Sequence, residues 1–145
     1  MNSISIKTGL VMFTGFVIFF LSMFGLGFGY RGELSFFNIA IQLMCLYGGI
    51  KTYYRLHPKD IDNYMLGVSL GLEATAIGVV GFTIFFMIFL HFNPTFMDAI
   101  RQNSNLGTYL NPFTGSLFIL TEGLVVGLIG SYILTRYFGY TVKEV

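Results

Sequence analysis

The chain has 145 residues, of which 54% are hydrophobic and only 10% are charged, and its formal net charge is +1. Soluble domains carry roughly 25% charged residues, so the composition excludes an ordinary soluble domain and predicts one membrane domain spanning residues 1–145. The near-neutral charge excludes broad attraction to nucleic acid, and the single cysteine, Cys45, excludes an intramolecular disulfide.

Four apolar segments follow one another along the chain, at about residues 8–28, 34–54, 64–92 and 113–137. Each reaches the roughly 20 residues that a helix needs to cross the hydrocarbon core of a bilayer. The third is longer than necessary, so it is expected to tilt or to protrude. The sequence therefore predicts an all-α protein, a bundle of four transmembrane helices.

The loop at residues 93–111 is the only long connection between the predicted spans. Within it, residues 95–102 mix apolar and charged side chains in a pattern that fits a short helix lying on the membrane surface. The alternative is an ordinary loop. Both interpretations remain open from the sequence.

Basic residues indicate the orientation of the spans. Arg31 and Arg101 lie in the first and third loops, whereas six basic residues lie near the two termini and in the second loop: Lys7, Lys51, Arg55, Lys59, Arg136 and Lys143. Because cytoplasmic segments are enriched in Lys and Arg, both termini are expected in the cytoplasm. The predicted location is the cell (inner) membrane.

The end of the second span carries the sequence GIKTYYR at residues 49–55, followed by a short polar loop and by a third span whose start contains glycine. This region, residues 46–86, resembles a bacterial family of small four-helix integral membrane proteins that is known only as a domain of unknown function. The loop at 57–63 is more acidic than expected for that family. The resemblance implies a fold and a membrane location, but no activity and no catalytic residues.

Motifs for chemistry are weak in this chain. Residues 26–30, LGFGY, are similar to a potassium-channel filter but lack its threonine and its preceding pore helix, which favours a flexible end of the first span. His57 and His91 are expected on opposite sides of the membrane, so a joint metal site is not predicted. No nucleophile or zinc spacing is present. We therefore expect no enzyme activity, cofactor or metal.

Small residues form a stripe on the third span, where they recur at spacings of four and three: Gly67, Gly71, Ala74, Gly78 and Gly81. The fourth span has a similar but less regular set: Ser116, Gly123, Gly127 and Gly130. Such stripes let helix backbones approach closely in lipid, so both are predicted to pack against helices. Leu70 lies off the stripe and is expected to matter less. The partner is either another span or a second chain.

Two acids, Glu73 and Glu122, lie inside predicted spans, each roughly 13 Å from the nearer end and therefore near the midplane. If the third and fourth spans pack antiparallel along their stripes, both carboxyls are expected on the same side of the pair. Gln42, Asn38 and Ser69 are candidate hydrogen-bonding partners. No Lys, Arg or His lies deep in any span to neutralise the acids.

Three roles are open for these acids: neutral groups that hold helices together, a proton or cation site, or a contact with a partner protein. The predicted function is accordingly a helical subunit or scaffold that associates with itself or joins a larger membrane complex. The alternative is an oligomeric proton- or cation-coupled transporter or channel that uses Glu73 and Glu122. The expected partners are the lipid bilayer and a second copy or another membrane protein, and no nucleic acid is expected.

Overall fold

A computed structural model describes residues 2–31 and 35–143, which form five α-helices and two short 3-10 turns. The turns are Pro58–Asp60 and Gly107–Tyr109. The helices are α1 (Ser3–Gly25), α2 (Ser35–Leu56), α3 (Tyr64–Phe92), α4 (Pro94–Asn103) and α5 (Pro112–Lys143). No strand occurs in these residues, so the prediction of an all-α protein is confirmed.

Local sequence explains where several helices begin and end. The Asn2 side chain caps α1 by accepting a hydrogen bond from the Ile4 N–H at 3.1 Å. After α1, Gly27 has φ +78°, a left-handed conformation that favours glycine and stops the helix. Pro94 and Pro112 stand at the first positions of α4 and α5, where the missing N–H of proline is tolerated.

Three of the described helices are long and apolar enough to cross a membrane: α1, α3 and α5 over residues Pro112–Thr141. The length of α2 is also sufficient, at 22 residues, but it is not among the three. The polar side chains of Asn38, Gln42 and Lys51 make α2 less apolar than its neighbours. The membrane class is thus supported by three helices, and the number of spans depends on α2.

Long helices that follow one another in the chain run antiparallel, so α1 and α3 are parallel. On α3 and α5, Gly71 faces Ser131 near one end, and Val79 faces Gly123 farther along. The helix α4 lies across one end of the bundle, which we call the α4 end. The described chain begins and finishes near the other end, which we call the terminal end.

The stripe on α3 packs within the chain, divided among three helices. Gly67 and Gly71 face α5, with Tyr54 of α2 also against Gly67, whereas Gly78 and Gly81 face α1. Ala74 lies between them and is fully buried. On α5, the contacts are Gly123 with Val79, Gly127 with Thr75 and Gly130 with Leu43. The partner that the sequence left open is therefore another helix of the same chain.

An aromatic cluster fills the core near the α4 end. Phe20 of α1 lies at its centre and has six rings within 6.4 Å of its own: Phe24, Phe82, Phe85, Phe86, Phe89 and Phe96. Phe96 and Met97 are the buried side chains of α4. The loop alternative is therefore wrong, and α4 covers the end of the bundle because its apolar side packs on this cluster.

Candidate functional site at Glu122

The depth of Glu122 follows from its neighbours on other helices. α1 has 23 residues, about 34 Å at 1.5 Å per residue, and its midpoint is near Thr14. Phe16, about half a turn beyond this midpoint, lines the same small pocket as Glu122 and Val79. The backbone of Glu122 therefore lies near the middle of the apolar layer formed by α1, and its carboxyl extends toward the α4 end to reach Ser35 at the start of α2.

The Glu122 carboxyl has one hydrogen bond, accepted from the Ser35 hydroxyl at 2.6 Å. The Glu122 side chain is exposed on the side of the bundle. Within residues 2–31 and 35–143, the only salt bridge joins Arg101 to Asp98. An exposed acid at mid-depth thus has no cationic partner in the described part of the chain.

A cavity of about 390 Å³ extends from Glu122 toward the α4 end, and we call it the Glu122 chamber. Glu122, Ser35 and Asn38 lie at its deep end, Phe86 and Phe118 line its walls, and residues of α4 and the following segment cover it. At the start of α2, the Ser35 hydroxyl contacts Glu122 and Phe37 packs on Phe19 of α1, so α2 begins about one turn before the end of α1. The chamber lies beside this start of α2, with walls from α1, α3 and α5.

Two amides of α2 lie close to the deep end of the chamber. Gln42 is buried, and its Nε2 donates a hydrogen bond to the carbonyl oxygen of Gly123 at 2.7 Å. The Asn38 Oδ1 atom is buried and accepts no hydrogen bond from the described residues. A smaller pocket of about 40 Å³ touches Glu122, Asn38 and Gln42 together. The structure therefore brings these three predicted site residues to one place.

Glu73 lies elsewhere, at the start of α1. Its Oε2 atom accepts hydrogen bonds from the Ser5 hydroxyl at 2.6 Å and from the Asn2 backbone N–H at 3.3 Å. Ser69 is exposed, and its hydroxyl is not one of these donors. The expectation that Glu73 and Glu122 meet on one side at the midplane does not hold, because Glu73 is level with the first residues of α1.

The reason is the stagger between two parallel helices. Met12 and Phe16 of α1 lie against Gly78 and Phe82 of α3, so α1 begins level with about the sixth residue of α3. The first turns of α3 therefore extend past α1 at the terminal end. The distance from Glu73 to the end of its own helix overestimates its depth in the bundle.

Sequence reasoning missed a line of buried hydroxyls along the seam of α3 and α5, which we call the hydroxyl row: Tyr54 of α2, Thr75, Ser131 and Thr135. Thr75, Ser131 and Thr135 have no hydrogen-bond partner among the described residues, whereas the Tyr54 hydroxyl lies against the backbone of Gly67. Several other Ser and Thr side chains behave differently: Thr14, Ser22 and Thr52 each donate to the carbonyl four residues earlier.

The members of the hydroxyl row stand opposite the predicted glycines. Thr75 faces Gly127 and Ser131 faces Gly71. Nearer the terminal end, Thr135 and Tyr54 both lie against Gly67. The row therefore extends from the terminal end to within about one turn of Gly123, whose carbonyl binds Gln42. The four-residue spacing of Gly127, Ser131 and Thr135 was the signal in the sequence.

Comparison with protein-family models, with curated proteins and with solved structures finds no match. The function is therefore argued from the chemistry of the Glu122 chamber and its surroundings.

Proposed function

We propose that the chain is a four-span membrane protein that binds a proton or another cation at Glu122 and exchanges it between the two sides of the membrane. Both termini lie in the cytoplasm of the cell (inner) membrane in this proposal, and α2 is the fourth span. The observation that carries it is the exposed carboxyl of Glu122 at mid-depth, with a single hydrogen bond from Ser35.

The energetic reason is the cost of an acid in hydrocarbon. Insertion scales place an aspartate at a helix centre at about +2.5 to +3.5 kcal/mol, and an unpaired anion there is favoured to bind a proton. Glu122 has no basic partner among the described residues, since the one salt bridge there joins Arg101 and Asp98. A carboxyl that must be neutralised in place is suited to bind and release a cation.

One route reaches this carboxyl, and a second ends about one helical turn from it. The Glu122 chamber leads toward the α4 end, which faces outward in the proposed orientation. In the opposite direction, the hydroxyl row extends along the seam of α3 and α5 to the terminal end. Each hydroxyl both donates and accepts a hydrogen bond, so such a row is chemically suited to passing a proton.

The orientation is tested by cysteine labelling in a Cys45→Ala background. We expect Arg101→Cys, in α4, to react with a membrane-impermeant thiol reagent added to intact cells, and Lys59→Cys to react only after the cells are opened. The physical reason is the excess of basic residues at the terminal end. Labelling of Lys59→Cys from outside would contradict the orientation and place the chamber on the cytoplasmic side.

The function is tested by proton flux into liposomes that contain the purified protein and an entrapped pH-sensitive dye. We expect an imposed pH gradient to drive flux faster than in protein-free liposomes, and Glu122→Gln to reduce it to that background. Glutamine keeps the size and much of the hydrogen bonding of a neutral glutamate but has no carboxyl to ionise.

Glu73→Gln is the matched control, because it changes the same residue type in α3 at a site outside the chamber and should keep the flux. If Glu73→Gln abolishes the flux as completely as Glu122→Gln, the assignment to Glu122 is wrong. If the parent shows no flux above protein-free liposomes, across pH values and with sodium or potassium gradients, the exchange function is wrong.

A scaffold is the second candidate function, and one observation favours it. Only 17% of the apolar window of α5 is buried within the chain, compared with 33% for α1 and for α3. A second copy or another membrane protein that packs on α5 would also cover Glu122. The stripes of small residues no longer support this candidate, since they are occupied within the chain. If the protein is a scaffold, we expect no proton flux in the liposome measurement.

A further inference from the structure

We infer that the Glu122 chamber binds apolar organic cations that carry N–H groups. This inference rests on the proposed role of Glu122 as a site for positive charge, and it adds the class of molecule that the chamber takes. It follows from the volume of the chamber, the polar atoms at its deep end and the rings along its walls.

The volume fits a small organic molecule. The chamber measures about 390 Å³, within the range of about 300 to 1,000 Å³ that is usual for ligand sites. A proton or a metal ion would leave most of it unfilled. Phe118 is 58% exposed and Glu122 is exposed beside it, so the wall of the chamber at α5 is open toward the side of the bundle. An apolar ligand can therefore enter from the lipid.

The polar atoms at the deep end are mainly acceptors. Glu122 uses one oxygen to accept from Ser35, which leaves the other oxygen of the carboxyl available. The Asn38 Oδ1 atom has no donor among the described residues but is itself buried, so the carboxyl of Glu122 is the acceptor that a ligand can reach. A free carboxyl oxygen favours a ligand that brings both positive charge and N–H donors.

The walls favour a cation as well. Phe19, Phe20, Phe82, Phe86 and Phe118 all line the chamber, and aromatic rings attract cations through their negative faces.

Arg31 lies at the mouth of the chamber, but its Cζ atom sits 5.0 Å above the Phe28 ring, and no salt bridge joins it to Glu122. The Glu122 carboxylate is therefore available to pair with a cationic ligand.

The test measures binding of ethidium, an aromatic cation with amino groups, by fluorescence anisotropy. The protein is placed in nanodiscs of zwitterionic lipid, and the signal of protein-free nanodiscs is subtracted. We expect saturable binding that Glu122→Gln weakens by about tenfold or more, because a charge-assisted contact is lost. Asn38→Leu, similar in size, should weaken binding less, and Glu73→Gln should leave it unchanged.

A second probe separates charge from apolar fit. N-phenyl-1-naphthylamine is uncharged and aromatic, so its binding in the chamber should be the same in the parent and in Glu122→Gln. Equal binding of ethidium to the parent and to Glu122→Gln would overturn the inference, and so would the absence of binding to both proteins. Ethidium binding that depends on Glu122 in a protein without proton flux would leave the ligand class standing and refute the exchange function. Proton flux without ethidium binding would refute the ligand class and leave the exchange function standing.

Discussion

Gly71→Leu is expected to prevent the stable packing of α3 on α5. A Cβ atom built at Gly71 would overlap the Ser131 hydroxyl and would lie 2.6 Å from the Ser131 Cβ, and leucine adds three more carbons beyond it. Because helices in lipid associate through close packing, separating this seam removes its main stabilisation. We expect a loss of more than about 3 kcal/mol in the free energy of unfolding.

The measurement is reversible unfolding of the purified protein in mixed micelles of mild detergent and SDS. Gly48→Leu is the matched control, because Gly48 is exposed on α2 and nothing lies within 4 Å of a Cβ built there. That variant should unfold like the parent. Equal stability of Gly71→Leu and the parent would mean that α3 and α5 do not pack along this seam.

Phe20→Ala is expected to loosen the α4 end of the bundle. The Phe20 ring is only 8% exposed and contacts rings of α1, α3 and α4, including Phe89 at 4.9 Å and Phe96 at 5.8 Å. Truncation of a buried phenylalanine to alanine typically costs about 3 to 5 kcal/mol, since it removes the contacts and leaves a cavity. The loss should appear in the same unfolding measurement.

Phe36→Ala is the control for this variant, because Phe36 of α2 is 75% exposed and should change the stability by less than about 0.5 kcal/mol. Protease sensitivity locates the loosening: cleavage in α4 should accelerate in Phe20→Ala and stay unchanged in Phe36→Ala. A Phe20→Ala protein with parental stability and parental resistance in α4 would show that α4 is not held by this cluster.

The class of the fold could be predicted from the sequence, because the apolar character of a segment is a local property. The third predicted span, residues 64–92, coincides with α3, and the second differs from α2 by one or two residues at each end. The first predicted span begins five residues after the start of α1, because capping by Asn2 starts that helix at Ser3. The last predicted span ends six residues before the end of α5, which continues through a polar segment to Lys143.

The site depended on the stagger of the helices, which is not a local property. Counting along each helix put Glu73 and Glu122 at similar depths, but the bond from Ser5 places Glu73 at the beginning of α1. Leu70 shows the same limit: it lies off the stripe, yet it is 3% exposed because Phe138 and Ile50 pack around it. A residue's face and depth are set by all its neighbouring helices together.

The sequence by itself determined that the chain forms apolar helices, that small residues line their contacts and that acids lie within them, because each property depends on residue type and spacing. Only the tertiary structure decided which carboxyl lies at mid-depth beside a cavity. That cavity lies where the start of α2 meets Glu122 of α5, and its walls come from α1, α3 and α5. The position of Glu122 beside the cavity depends on contacts between residues far apart in sequence, so the periodicity of any one segment does not predict it.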